Sequence, residues 1–167
     1  FIVDDSGSMS EEQSNLSKNF ATFVQTADIW NNDYHIGVVS TDMDDGAKSG
    51  KLQSSGSVRV VTPATAGGTS TLQALAKLGT NGSGTEQGLA AAEAAVTAPL
   101  TTDLGKACNA DSDCSNPAKC IPDADDPAKK GCGGNNRTFL RKNAGLEIVI
   151  LSDEEDGSAA DINYYTN

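Results

Sequence analysis

Basic side chains, histidine and long apolar runs are what this 167-residue chain has least of. Lys and Arg number 12 against 23 Asp and Glu, a formal charge of −11. A surface this acidic repels phosphate backbones, which argues against nucleic acid as a partner and favours cations, basic surfaces and metal-bridged ligands. No apolar run approaches the ~20 residues that cross a bilayer, so no membrane-spanning helix is expected in this segment. His35 is the only histidine and lies within an apolar stretch, where a packed or half-buried role is expected. Neither a Gly-x-Ser-x-Gly elbow nor a Cys partner accompanies it, so the chain is not expected to be an enzyme.

Paired zinc knuckles are missing as well. Cys108, Cys114, Cys120 and Cys132 are spaced C-x5-C-x5-C-x11-C, without the C-x2-C or C-x4-C pairs of zinc sites. Clustered in a polar stretch too poor in apolar residues for a core, they suggest two disulfides, with all three pairings open. The expected compartment is therefore oxidising: extracellular, cell surface or periplasm.

Enough apolar material is present for one globular domain: 37% of residues, or about 47% with the 17 glycines counted. Phe1-Ile2-Val3 reads as the tail of a buried strand. Residues Leu16, Phe20, Phe23, Val24, Ala27 and Trp30 recur at three- and four-residue steps, predicting an amphipathic helix over 11–29. Ser10 and Gln13 fit a capping box at its start. Strands are expected over 34–41 and 58–61, helices over 69–78 and 85–97. Residues 101–136 form an insertion lacking either periodicity. The run 146–151, the most apolar in the chain, reads as a central parallel strand. Strands alternating with helices define an α/β class: a doubly wound, mostly parallel sheet flanked by helices, carrying a disulfide-rich loop insertion. The chain is expected to be one domain over 1–167, excerpted from a longer protein and truncated at both ends.

Three expected strands end in oxygen-rich loops, at Asp4/Ser6/Ser8, at Asp42/Asp44/Asp45 and at Asp153/Glu154/Asp156. Ligands of open α/β sheets bind at such carboxyl ends. Asp4, Ser6 and Ser8 are two apart and project to one side of an extended chain, with Gly7 letting the turn tighten. A carboxylate and two hydroxyls, with no His or Cys beside them, suit a hard cation: Mg²⁺ first, Ca²⁺ or Mn²⁺ next. The remaining acidic residues of these loops read as a solvated rim, and those of the insertion do not match a calcium-loop pattern.

Asp4-Asp5-Ser6-Gly7-Ser8, after an apolar strand and before a helix, resembles the metal-ion-dependent adhesion site of von Willebrand factor type A (integrin I-like) domains. The wider style, including Ile36-Gly37-Val38-Val39-Ser40-Thr41-Asp42 and Leu151-Ser152-Asp153-Glu154-Glu155-Asp156, is similar to type A domains of bacterial surface or secreted proteins. The resemblance covers roughly residues 1–100 and 137–158. It implies that Asp153 completes the site and that a loop hydroxyl six residues before a helix Leu adds a ligand. Ser83, before Leu89, fits that place, with Thr85 second and Thr69, before Leu75, third. The implied function is a metal-dependent adhesion module, its ion held by Asp4, Ser6, Ser8, Ser83 and Asp153. A protein or glycan partner presenting a carboxylate would complete the coordination. The alternative is a structural subunit of a filament or surface layer, in which the metal only stiffens loops. Hydrolysis by a metal-activated water is the third reading, and no recognisable general base supports it.

Overall fold

The two-residue strand β1 (Ile2–Val3) is the centre of a parallel sheet, flanked by β2 (Val39–Ser40) and β6 (Ile150–Leu151), in a computed structural model that describes residues 1–166. Ile2 pairs with Val39 and Ile150, Val3 with Ser40 and Leu151. Because side chains alternate along a strand, β1 feeds two cores. Val3 and Val38 join Phe20, Val24, Leu72 and Leu75 in one cluster. Ile2 and Val39 join Leu52, Ala91, Ala92 and Ala95 in the other.

The helix α1 (Ser10–Ile29) buries Phe20 and Val24, four residues apart, and carries Glu11 and Glu12 in its first turn, where the helix dipole favours acid. Its start differs from the expected capping box. Ser10 is already helical, Met9 caps without a side-chain bond, and Gln13 is buried. The Gln13 amide donates to the carbonyls of Asp4 (2.8 Å) and Gly79 (2.8 Å) and accepts from Gly79 N–H (3.2 Å). It ties the loop after β1 to the loop at 79.

α2 (Gly68–Leu75) packs on α1 through Leu72 and Leu75, with Ser17 donating to the Gln73 carbonyl. α3 (Gly88–Val96) begins three residues later than periodicity predicts. Residues 85–87 stay out of the helix because Gln87 N–H binds the Thr41 carbonyl and Gly157 N–H binds the Glu86 carbonyl. The expected strands over 34–41 and 58–61 shrink to β2 and a bridge between Ile36 and Val61.

Residues 101–136 are more ordered than the sequence suggests. β3 (Asp103–Ala107), β4 (Lys119–Pro122) and β5 (Lys130–Gly133) make an antiparallel sheet in the order β3-β5-β4. Two disulfides, Cys108–Cys120 and Cys114–Cys132, close it, and Cys120 lies opposite Cys132 in register. β3 is exposed along its whole length, so backbone bonds and cross-links hold this sheet where a core would otherwise be needed. Buried Asn136 docks it, donating to the carbonyls of Gly50 and Ala95 and accepting from Leu52 N–H. The His35 ring, almost wholly buried, bridges the Phe139 carbonyl and Asp125 at 2.8 Å each.

The apolar run 146–151 is the other departure. Only Ile150 and Leu151 are strand, and β6 is an edge of the sheet, with nothing paired on its outer side among the described residues. Leu146 is 53% exposed and Ile148 44%. The described residues are mixed α/β, with four α-helices and two three-stranded sheets. No helix among them is long and apolar enough to cross a membrane.

Candidate metal site at the strand ends

β1 and β6 run parallel, so their carboxyl ends deliver the loops after Val3 and after Leu151 to one place. Asp4 is fully buried there. Its Oδ1 accepts the Ser6 N–H at 2.7 Å and its Oδ2 accepts the Ser152 hydroxyl at 2.6 Å. The Ser6 and Ser8 hydroxyls lie 3.4 Å apart, and Ser8 donates to Asp153 Oδ1 at 3.1 Å across 145 residues of sequence. Asp4, Ser6, Ser8 and Asp153 are thus linked by hydrogen bonds, through the Ser6 N–H at Asp4 and through hydroxyls from there on, buried at Asp4 and open at Ser8 and Asp153.

Gly7 does not play the expected role: a Cβ there would meet nothing within 4 Å. The glycine the loop requires is Gly82. Its N–H binds the Asp5 carbonyl at 2.7 Å, and a Cβ would lie 2.3 Å from Asp5 Oδ1.

Ser83 is held elsewhere. Its hydroxyl donates to Asp44 Oδ2 (2.9 Å) and accepts Thr85 N–H (3.1 Å), while its own N–H binds Asp42 Oδ2 (3.2 Å). Thr69 lies in the first turn of α2, with no bond to the Asp4 group. Asp42 belongs to a second cluster. Lys48 Nζ sits 2.7 Å from Asp5 Oδ2 and 3.0 Å from Asp42 Oδ2, and Ser40 donates to Asp5 Oδ1. Burial pushes the Asp42 carboxyl up, but hydrogen bonds from Lys48 and from the Asp45 and Ser83 backbone outweigh it and hold it below the usual range. For Lys48, burial works against the charge and the bonds to Asp5 and Asp42 prevail, raising its pKa. The rim is therefore partly a buried ion cluster, with Lys48 as its own cation.

Glu86 is the residue that pattern reading passed over. It is 2% exposed, and its Oε2 accepts the hydroxyl of Thr41, whose N–H binds the Val3 carbonyl at the end of β1. Oε1 finds no hydrogen-bond partner. Burial pushes the Glu86 carboxyl up to about 7; the Thr41 hydroxyl opposes this, and the Asp4 and Glu154 charges add to it. One signal was available: Glu86 is the sole charged residue between Lys77 and Glu93.

An all-oxygen donor set, rooted in a buried carboxylate and open at one side, suits a hard divalent cation better than a soft metal. The only compact His/Cys/Asp/Glu group among the described residues is Cys108, Cys114 and Cys132, whose sulfurs are spent in disulfides. Comparison of the chain with protein-family models, curated proteins and solved structures returns no match.

Proposed function

We propose that the chain is a metal-dependent adhesion module of the von Willebrand factor type A kind, belonging to a secreted or cell-surface protein. Its parallel sheet, with one core on each face, supports the doubly wound reading. The observation that carries the functional reading is the Ser8–Asp153 hydrogen bond, because it joins the D-x-S-x-S loop to the strand-end aspartate beside buried Asp4. Asp4, Ser6, Ser8 and Asp153 would hold Mg²⁺, Mn²⁺ or Ca²⁺, and an acidic group on a protein or glycan partner would complete the shell. Bound metal supplies a positive centre that a carboxylate can reach; the hydroxyls keep the site's own negative charge low. The two disulfides support an oxidising compartment.

Ligand-linked stabilisation tests this reading, since a cation that binds only the folded state raises the unfolding midpoint with concentration. The midpoint is expected to rise with millimolar Mg²⁺ in the native chain and to stay flat in Asp4→Asn. Equal response of the two would remove the site.

The exposed apolar side chains of 146–150 favour the second reading, a structural subunit, because large apolar patches commonly mark contact surfaces. Sedimentation with and without chelator separates the two. A monomer in both conditions supports adhesion; self-assembly that ignores the chelator supports the subunit.

A further inference from the structure

We propose that His35 is held as a doubly protonated imidazolium and acts as a pH-sensitive latch, fastening the turn between β4 and β5 to the body of the chain.

The ring joins three segments. His35 precedes the bridge at Ile36, Asp125 lies in the turn after β4, and Phe139 follows the cross-linked sheet. Nδ1 is 2.8 Å from the Phe139 carbonyl oxygen, and Nε2 is 2.8 Å from Asp125 Oδ1. A carbonyl and a carboxylate oxygen only accept, so each ring nitrogen needs a proton. A neutral imidazole has one, and turns a lone pair toward the other oxygen. The imidazolium donates to both. The side chain is 3% exposed, which leaves water little access to replace either partner.

Asp125 is the carboxylate that the ring touches. In the same turn, Asp126 is paired with Lys129 at 3.0 Å, and Asp123 accepts the Asp125 and Asp126 N–H groups with Arg137 3.9 Å away. Beside the ring, Asp33 is paired with Arg141, and Tyr34 donates to Asp28. Lys142 and Glu147, of opposite sign, line the cleft that His35 borders. The Phe1 ammonium donates to the Gly37 carbonyl at 2.9 Å.

The latch closes a corner that is costly to hold. Ala124 N–H binds the Thr138 hydroxyl at 2.9 Å, and Thr138 sits at φ 60°, where a β-branched residue is strained. Loss of the Nε2 proton removes the donor to Asp125 and sets a lone pair against a carboxylate. The fastening is therefore complete while the ring is doubly protonated and is lost as pH rises through its titration.

Nitrogen NMR of the full chain tests this without overlap, because His35 is the only histidine. Both ring nitrogens of the native chain are expected to carry protons at about pH 6, and Nδ1 alone at about pH 9. Asp125→Asn changes an exposed side chain and supplies an N–H to the bare Nε2. Its ring is expected to stay neutral, with the proton on Nδ1, at both pH values. Exchange of the Ala124 amide, corrected for its intrinsic pH dependence, should quicken on the order of tenfold from the lower to the higher pH in the native chain, and less than about twofold in Asp125→Asn. The Phe1 ammonium and Glu86, which titrate at about 6 and about 7, are common to both chains, so the difference between them reads the latch. A singly protonated ring in the native chain at the lower pH, a doubly protonated ring in Asp125→Asn, or Ala124 exchange that responds alike in both chains would overturn the proposal.

Discussion

Single residues near Asp4 are under unequal constraint, and the two glycines of the region illustrate it. Gly82→Ala drives a Cβ against Asp5, whose backbone oxygen is 2.8 Å away as well as its carboxylate. Because the backbone must give, a loss of about 1–3 kcal/mol is expected in urea unfolding. Gly7→Ala should stay within about 0.5 kcal/mol, having open space around it. Equal losses at both positions would refute the close-approach argument. Glu86 adds a pH dependence. Its carboxyl titrates near 7 in the fold against 4.5 ordinarily, so the folded chain binds the extra proton. That stabilisation is complete below pH 4.5 and disappears as pH rises through about 7. In chelator, the native chain should therefore lose on the order of 2 kcal/mol between pH 5 and pH 8 relative to Glu86→Gln, the buried Phe1 ammonium, lowered to about 6, acting alike in both. Asp42 and Asp103, held below the usual carboxylate range, titrate beneath this window. An unchanged slope in Glu86→Gln would contradict the account. The meeting of Ser8 and Asp153 is legible because strand ends are visible in sequence. Glu86 was not, since its meaning lies in a turn inward that composition does not encode.

Elements differ in how much of them the sequence carries. α1 is legible because Leu16, Phe20 and Val24 repeat at helical steps and bury one face. Its capping was misread because Gln13 has better partners in the backbone at Asp4 and Gly79 than at the helix end. The β3–β5 sheet was illegible for another reason: with β3 exposed throughout, no apolar alternation marks it. Cross-linking compensates, each bridge contributing of order 3 kcal/mol through the unfolded chain. Arg137 adds an internal strut, donating to the Ile121 carbonyl at 2.9 Å and to Asp103 at 3.1 Å. Reduction is therefore expected to speed hydrogen exchange of amides in 103–133 while leaving Mn²⁺ affinity within about twofold, because Asp4 is held by bonds from Ser6, Ser152 and Gln13 and not by this sheet. Protection that survives reduction would show that the disulfides do not hold the sheet.

At the scale of the whole molecule, three short parallel strands align two loops that are far apart in sequence. Asp4 is buried on one side of these loops, while Ser8 and Asp153 are open on the other. The apolarity of 146–151 predicts a central strand, yet only 150–151 is strand and it forms an edge, because apolarity does not report which strand lies beside it. Calorimetric titration of the full chain with Mg²⁺, beside Asp4→Asn, tests the central claim most directly. One equivalent of Mg²⁺ bound by the native chain and none by the variant is the predicted result. Heat that is absent from both, or equal in both, would contradict a cation site at the end of β1.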